Sequence, residues 1–204
     1  MEQEPKTGFR HWFVNVFWFH YGKLAIGLVL ALAVVIYLTV DAFHKESYDL
    51  NVVLAVSGAI EPEDTQALQD LLAETAGDLD GDGKIQINLQ RIDLRQGQEL
   101  ERMILYLSLP EYTLFILDDE ISANYCARED EFQPLADYGV ETEDPSGKRR
   151  YVGDRTVLRQ MGEFDYYLCL ADWTVDGKGS PEMTAAAVRA MQKILNSEVY
   201  EGAV

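Results

Sequence analysis

Asp78-Leu79-Asp80-Gly81-Asp82-Gly83-Lys84-Ile85 is the segment whose residue types point most directly to chemistry. Carboxylates at alternate positions converge on one hard cation when a glycine at the sixth position lets the loop fold back. In that arrangement Asp78, Asp80 and Asp82 hold calcium and Lys84 offers its carbonyl at the seventh position. Gln86 contributes through water, and Ile85 anchors the loop in the core. A bidentate Glu belongs at the twelfth position, where Leu89 stands, so the expectation is weak calcium binding and no other cofactor. The same residues also suit a helix-to-strand turn whose glycines supply positive φ and whose acids are merely solvated.

Ser57-Gly58, Asp118-Asp119-Glu120 and Asp172-Trp173 each follow an apolar run that reads as a strand. Open α/β sheets bind ligands beyond the carboxyl ends of their strands, and acids beside an aromatic ring suit a sugar or a cationic solute. Ser57, Asp118, Asp119 and Trp173 are therefore the candidate ligand-binding residues. The carboxylates from Asp118 to Glu120 would alternatively serve a membrane-tethered hydrolase acting on glycans, given an acid–base pair with divergent pKa values. Imidazole chemistry is excluded downstream: the three histidines are His11, His20 and His44. Nothing from Ser47 onward can build a Ser-His-Asp triad or a His-ligated zinc site. Cys126 and Cys169 are the only cysteines and lack C-x-x-C spacing. They read as two free, buried thiols, with one disulfide as the alternative outside the cell.

The elements that must position these groups alternate in type. LNVVLAVSG (50–58) is a β-branched apolar run ended by Ser-Gly, the pattern of a buried strand. A helix is predicted from about Pro62, with Glu61, Glu63 and Asp64 at its positive end and Leu68, Leu71 and Leu72 facing inward. Ile85, Ile87 and Leu89 alternate as a second strand. Leu100, Met103, Ile104 and Leu107 recur at helical spacing before Pro110. Further strands are predicted at 112–117 and 166–170. A last helix follows Ser180 as N-cap and Pro181, burying Met183, Ala187, Met191, Ile194 and Leu195. The stretch 121–162 shows no clear period beyond an exposed loop, DPSGKRR. Together these predict a mainly parallel, three-layer α/β domain covered on both faces, spanning 50–204.

The order strand–helix–strand–helix–strand, with its LYLSLPEYTLFILDD step, resembles the first lobe of extracellular solute-binding proteins. The aromatic approach HYGKLAIG and the acidic DLDGDGKI loop are similar to uncharacterised single-span membrane proteins of Gram-positive bacteria. The likeness covers roughly 50–120. It implies solute binding, sensing or membrane-complex assembly at the carboxyl edge of the sheet. With 204 residues the chain is too short for two full lobes, so a closing clamshell is not expected.

Ahead of this domain, LAIGLVLALAVVIYLTV (24–40) is seventeen residues without a charge. As a helix it would measure about 26 Å, near the thickness of a bilayer's hydrocarbon layer. A transmembrane helix is predicted over 24–43. It is preceded by an aromatic, interfacial segment over 1–23 and followed by a polar neck over 44–49. Lys6, Arg10 and Lys23 precede the span and only Lys45 follows closely, which predicts a cytoplasmic amino end and an extracellular domain. The lipid bilayer and a membrane-protein or transporter partner are the expected associations. Net charge is −18, with 17 basic against 35 acidic residues. Such a field repels phosphate backbones, so nucleic acid is not an expected partner.

Overall fold

The computed structural model describes residues 8, 13, 18–43, 48–128, 131–152 and 156–197, and the chain divides into two compact units, 1–46 and 47–204. In the first unit, α1 (Phe19–Phe43) is an unbroken helix of 25 residues. Its side chains are described over 21–24 and 26–37, and those from Ile26 to Tyr37 are all exposed. Among the described residues, no helix is long and apolar enough to cross a membrane.

The second unit is built on one five-stranded sheet in the order β2-β1-β3-β5-β4. β1 (Leu50–Val56), β2 (Ile87–Asp93) and β3 (Tyr112–Leu117) pair in parallel, β1 in the middle. β5 (Tyr167–Leu170) runs antiparallel to β3, and β4 (Arg149–Tyr151) runs antiparallel to β5. Four strands therefore point one way and β5 alone points back. The mixed α/β class and the mostly parallel sheet match the sequence expectation; β4 and the reversed β5 do not. Both differences originate in 121–162, where no single crossover helix carries the chain. A short helix, α4 (Asp119–Cys126), is followed by an irregular path through a 3-10 turn at Leu135–Tyr138 to the edge strand. The strand after it then returns beside β3 in the opposite sense.

Strand alternation splits the core in two. Leu50, Val52, Leu54 and Val56 pack with α2 (Gln66–Ala76) and α5 (Pro181–Leu195) through Leu68, Leu72, Ala187, Met191 and Ile194. Val53 and Ala55 point to the other face, where Met103 and Leu107 of α3 (Gly97–Leu107) and Tyr125 and Cys126 of α4 cover them. This is the three-layer arrangement. α5 starts as its sequence predicts: the Ser180 hydroxyl accepts from the Met183 N–H at 3.4 Å, and Pro181 sits in the first turn. α2 begins later than expected, because Glu63–Thr65 forms a 3-10 turn first. Leu100 and Ile104 of α3 lie exposed rather than buried. Ile85 is also exposed and precedes β2, so it does not anchor the acidic loop in the core.

Candidate functional site

At the carboxyl edge, the loop after β1 leads to α2 on one face, while those after β2 and β3 lead to α3 and α4 on the other. Loops parting to opposite faces are what open a binding crevice in α/β sheets. On the β3 side the opening is closed by hydrogen bonds. The Ser57 N–H and hydroxyl both donate to Oδ2 of Asp118, at 2.8 and 2.6 Å. Oδ1 of Asp118 accepts from the Ile121 N–H at 3.0 Å and so caps α4. The structure brings Ser57 and Asp118 together, as the sequence predicts, and commits Asp118 to holding two loops.

Asp119 is exposed and is paired with Arg149, whose Nη1 donates to Oδ1 at 2.9 Å. Arg149 is the hub of this edge: it also donates to Asp144 at 2.7 Å and to the Ser122 hydroxyl at 2.9 Å. Its guanidinium lies 4.4 Å from the centre of the Tyr167 ring. Burial opposes the Asp144 charge, but hydrogen bonds from Ser146 and Arg149 outweigh it and hold the carboxyl below its usual range. Nothing in the sequence marks Arg149 as central, since it stands in the loop DPSGKRR.

On the β2 side the opening remains as a cleft of about 230 Å³, lined by Gly58, Ile60, Pro62, Arg91, Asp93 and Gln96, among others. A Cβ at Gly58 would come within 2.4 Å of the Phe164 ring, so a larger residue there must displace that ring. The Arg95 guanidinium beside Asp93 holds that carboxyl down at about 2, its Nη2 2.7 Å from Oδ2. Arg91 makes no ion pair among the described residues. Sequence reasoning missed this cleft. A signal existed in Gly58 directly after a strand, but Arg91 becomes relevant only once β2 lies beside β1.

Trp173 is not at this edge. β5 runs antiparallel, so its carboxyl end meets the amino end of β3, where the Trp173 Nε1–H donates to the Tyr112 carbonyl at 3.3 Å. The expectation that Trp173 joins Ser57, Asp118 and Asp119 is thereby corrected. Its neighbour Asp172 accepts from the Tyr138 hydroxyl at 2.5 Å and the Thr174 N–H at 2.8 Å. It also accepts from the Thr184 hydroxyl at 3.2 Å, which ties α5 to the turn after β5. Burial opposes its charge, but the hydrogen bonds from Thr174, Tyr138 and Thr184 prevail and depress its pKa.

The acidic loop lies at the amino edge. Asp78 accepts from the Gly81 and Gly83 N–H groups at 2.7 and 3.0 Å, with both glycines at positive φ. Asp80 accepts from the Asp82 N–H at 3.0 Å, and Asp82 from the Lys84 N–H at 2.7 Å. The carboxylates that gather are Asp49, Asp78 and Asp80, with oxygens within 4.8 Å of one another. Asp82, expected beside Asp78 and Asp80, stands outside that group. Asp49, expected in the neck, is only 1 % exposed and accepts from the Leu79 and Gln86 N–H groups at 2.5 and 2.7 Å. It comes from 29 residues before Asp78 and cannot be found from loop spacing. Three carboxylates at this separation can share a hard cation with main-chain oxygens.

Compared with known protein families, with characterised proteins and with solved structures, the chain matches none.

Proposed function

We propose that the chain is a single-span membrane protein whose 47–204 unit is a non-catalytic binding domain outside the cell. Its ligand is a small, carboxylate-bearing solute taken at the carboxyl edge. The observation that carries the binding role is the cleft beside β1, where the loops after β1 and β2 part to opposite faces. At about 230 Å³ it is smaller than the roughly 300 Å³ at which drug-sized sites begin, which suits an occupant of amino-acid size. Arg91 offers a cation that no described acid already neutralises. Two of the three carboxylates of the hydrolase alternative are otherwise engaged: Asp118 holds Ser57 and caps α4, and Asp119 is paired with Arg149.

The anchor reading rests on α1. Its 25 residues would measure about 38 Å, and Leu24 and Leu28 are each 71 % exposed. An apolar stretch exposed throughout from Ile26 to Tyr37 suits lipid far better than water. The basic residues Lys6, Arg10 and Lys23 support a cytoplasmic side for the preceding segment. Asp49, Asp78 and Asp80 additionally support a weak calcium site at the amino edge.

The binding role is tested on the full chain in lipid nanodiscs. Amino acids and small dicarboxylates are titrated while melting is followed, with the parent and Arg91→Ala compared. A carboxylate solute that raises the melting temperature of the parent but not of the variant is the expected result. Equal shifts in both, or none with any carboxylate, would remove the cleft as the binding site. Protease added to intact protoplasts should digest the 47–204 unit and spare the segment before α1.

A further inference from the structure

Cys126 ends α4 and Cys169 lies in β5, 43 residues apart in sequence, yet their sulfurs stand 3.7 Å apart in the core. They are the only two cysteines of the chain. Cys169 is completely buried and Cys126 is 3 % exposed. Cys126 nevertheless sits beneath the last turn of an eight-residue helix, and the residues that follow, Ala127 and Arg128, are exposed. Opening of that terminal turn alone would expose Cys126 to a reagent as small as hydrogen peroxide without opening the sheet. The sulfurs then need to move about 1.7 Å closer to reach the bonding distance of roughly 2.05 Å.

From this juxtaposition we infer that Cys126 and Cys169 are a modification site: a dithiol that a small peroxide converts into a disulfide bolting α4 to β5. The Cys126 thiolate attacks one peroxide oxygen and breaks the O–O bond. The departing hydroxide takes up the proton that the Cys126 thiol gave up on ionising and leaves as water, and the sulfur becomes a sulfenic acid. The Cys169 thiol then attacks that sulfur, forming the S–S bond and releasing a second water. Two thiols lose two electrons and two protons, and one hydrogen peroxide is reduced to two waters. The order of events follows from the surroundings. The hydrogen bond from Cys169 lowers the Cys126 pKa against the effect of burial, with help from the Arg149 charge, whereas burial pushes Cys169 up. Cys126 is the attacking sulfur and Cys169 the resolving one.

The bond would fix the helix that carries Asp118 and Asp119 at its other end, next to Arg149. It thus couples oxidation to the rigidity of the carboxyl edge, whatever that edge binds.

The full chain, purified reduced, is exposed to hydrogen peroxide, quenched, unfolded, and treated with iodoacetamide before intact-mass measurement. The expected product is two hydrogens lighter than the reduced chain and takes up no label, while the untreated chain takes up two. In Cys169→Ser, Cys126 should stop at a sulfenic acid that a dimedone probe captures. The oxidised parent should melt about 5–10 °C above the reduced form, a gain that reductant erases. Two labels after peroxide, a sulfinic or sulfonic acid on either cysteine, or a disulfide-linked dimer would each overturn the inference.

Discussion

At the amino edge Asp49 is held by main-chain amides, those of Leu79 and Gln86, and its nearest acidic neighbours are Asp78 and Asp80. At the carboxyl edge Asp118 is held by Ser57 and the first turn of α4, and three acids of this edge meet guanidinium groups: Asp119 and Asp144 at Arg149, Asp93 at Arg95. Both aspartates are nearly buried, and both fasten loops to the strand ends. They differ in what surrounds them. Carboxylates neutralised by arginine have little left to offer an external cation, whereas carboxylates gathered around main-chain amides do.

The largest expected effects test the shared structural role. Asp118→Ala removes a helix cap and both bonds from Ser57, which should cost about 4 kcal/mol. Asp49→Ala takes the acceptor from the part-buried Leu79 and Gln86 amides and should cost about 2 kcal/mol. Chemical unfolding of the full chain measures both. Values under 1 kcal/mol at either position would mean that its loop is held in some other way.

Calcium comes next and separates the edges. At a free concentration one hundred times Kd, binding contributes about 2.7 kcal/mol, or about 5–10 °C in melting temperature for a unit of this size. Millimolar calcium should raise the melting point of the parent, and Asp80→Asn should abolish the response. Asp82→Asn should leave it largely intact, because Asp82 lies outside the gathered group. Equal loss in both variants would restore the loop-only set of three aspartates, and no shift in the parent would remove the site.

The smallest effect is acid sensitivity. The folded pKa values of Asp93 and Asp172 lie below their unfolded value near 3.9, Asp93 at about 2. Each therefore stabilises the fold above pH 4, and that contribution is lost as the pH falls from about 4 towards 2. Melting followed over this window should show a shallower decline in Asp172→Asn, which cannot titrate. An unchanged slope would show that Asp172 carries no part of the acid response.

Local pattern made much of the unit legible. The apolar run 50–58, the 112–117 strand and the capped helix after Ser180 rest on propensities and periods that act within a few residues, and the structure contains all three. The acidic loop and its glycines were legible for the same reason, since a turn of this kind is closed by its own side chains.

What tertiary structure decided was which of these groups meet. Strand direction is not encoded in a strand's own residues. It follows from the route of the preceding chain, and that route, through 121–162, has no period to read. Reversing β5 sends Trp173 to the far edge from Ser57 and Asp118, brings Cys169 beside Cys126, and sets Arg149 opposite Cys169 in the sheet. Asp49 belongs to the acidic loop by the same logic, because β1 and β2 are parallel neighbours and the residue before one strand lies beside the approach to the other. The sequence by itself determined the main elements outside 121–162, the acidic charge and the apolar helix before them. The partners of each functional side chain were decided by packing, because a contact across a sheet depends on the whole path between its two residues and not on the residues alone.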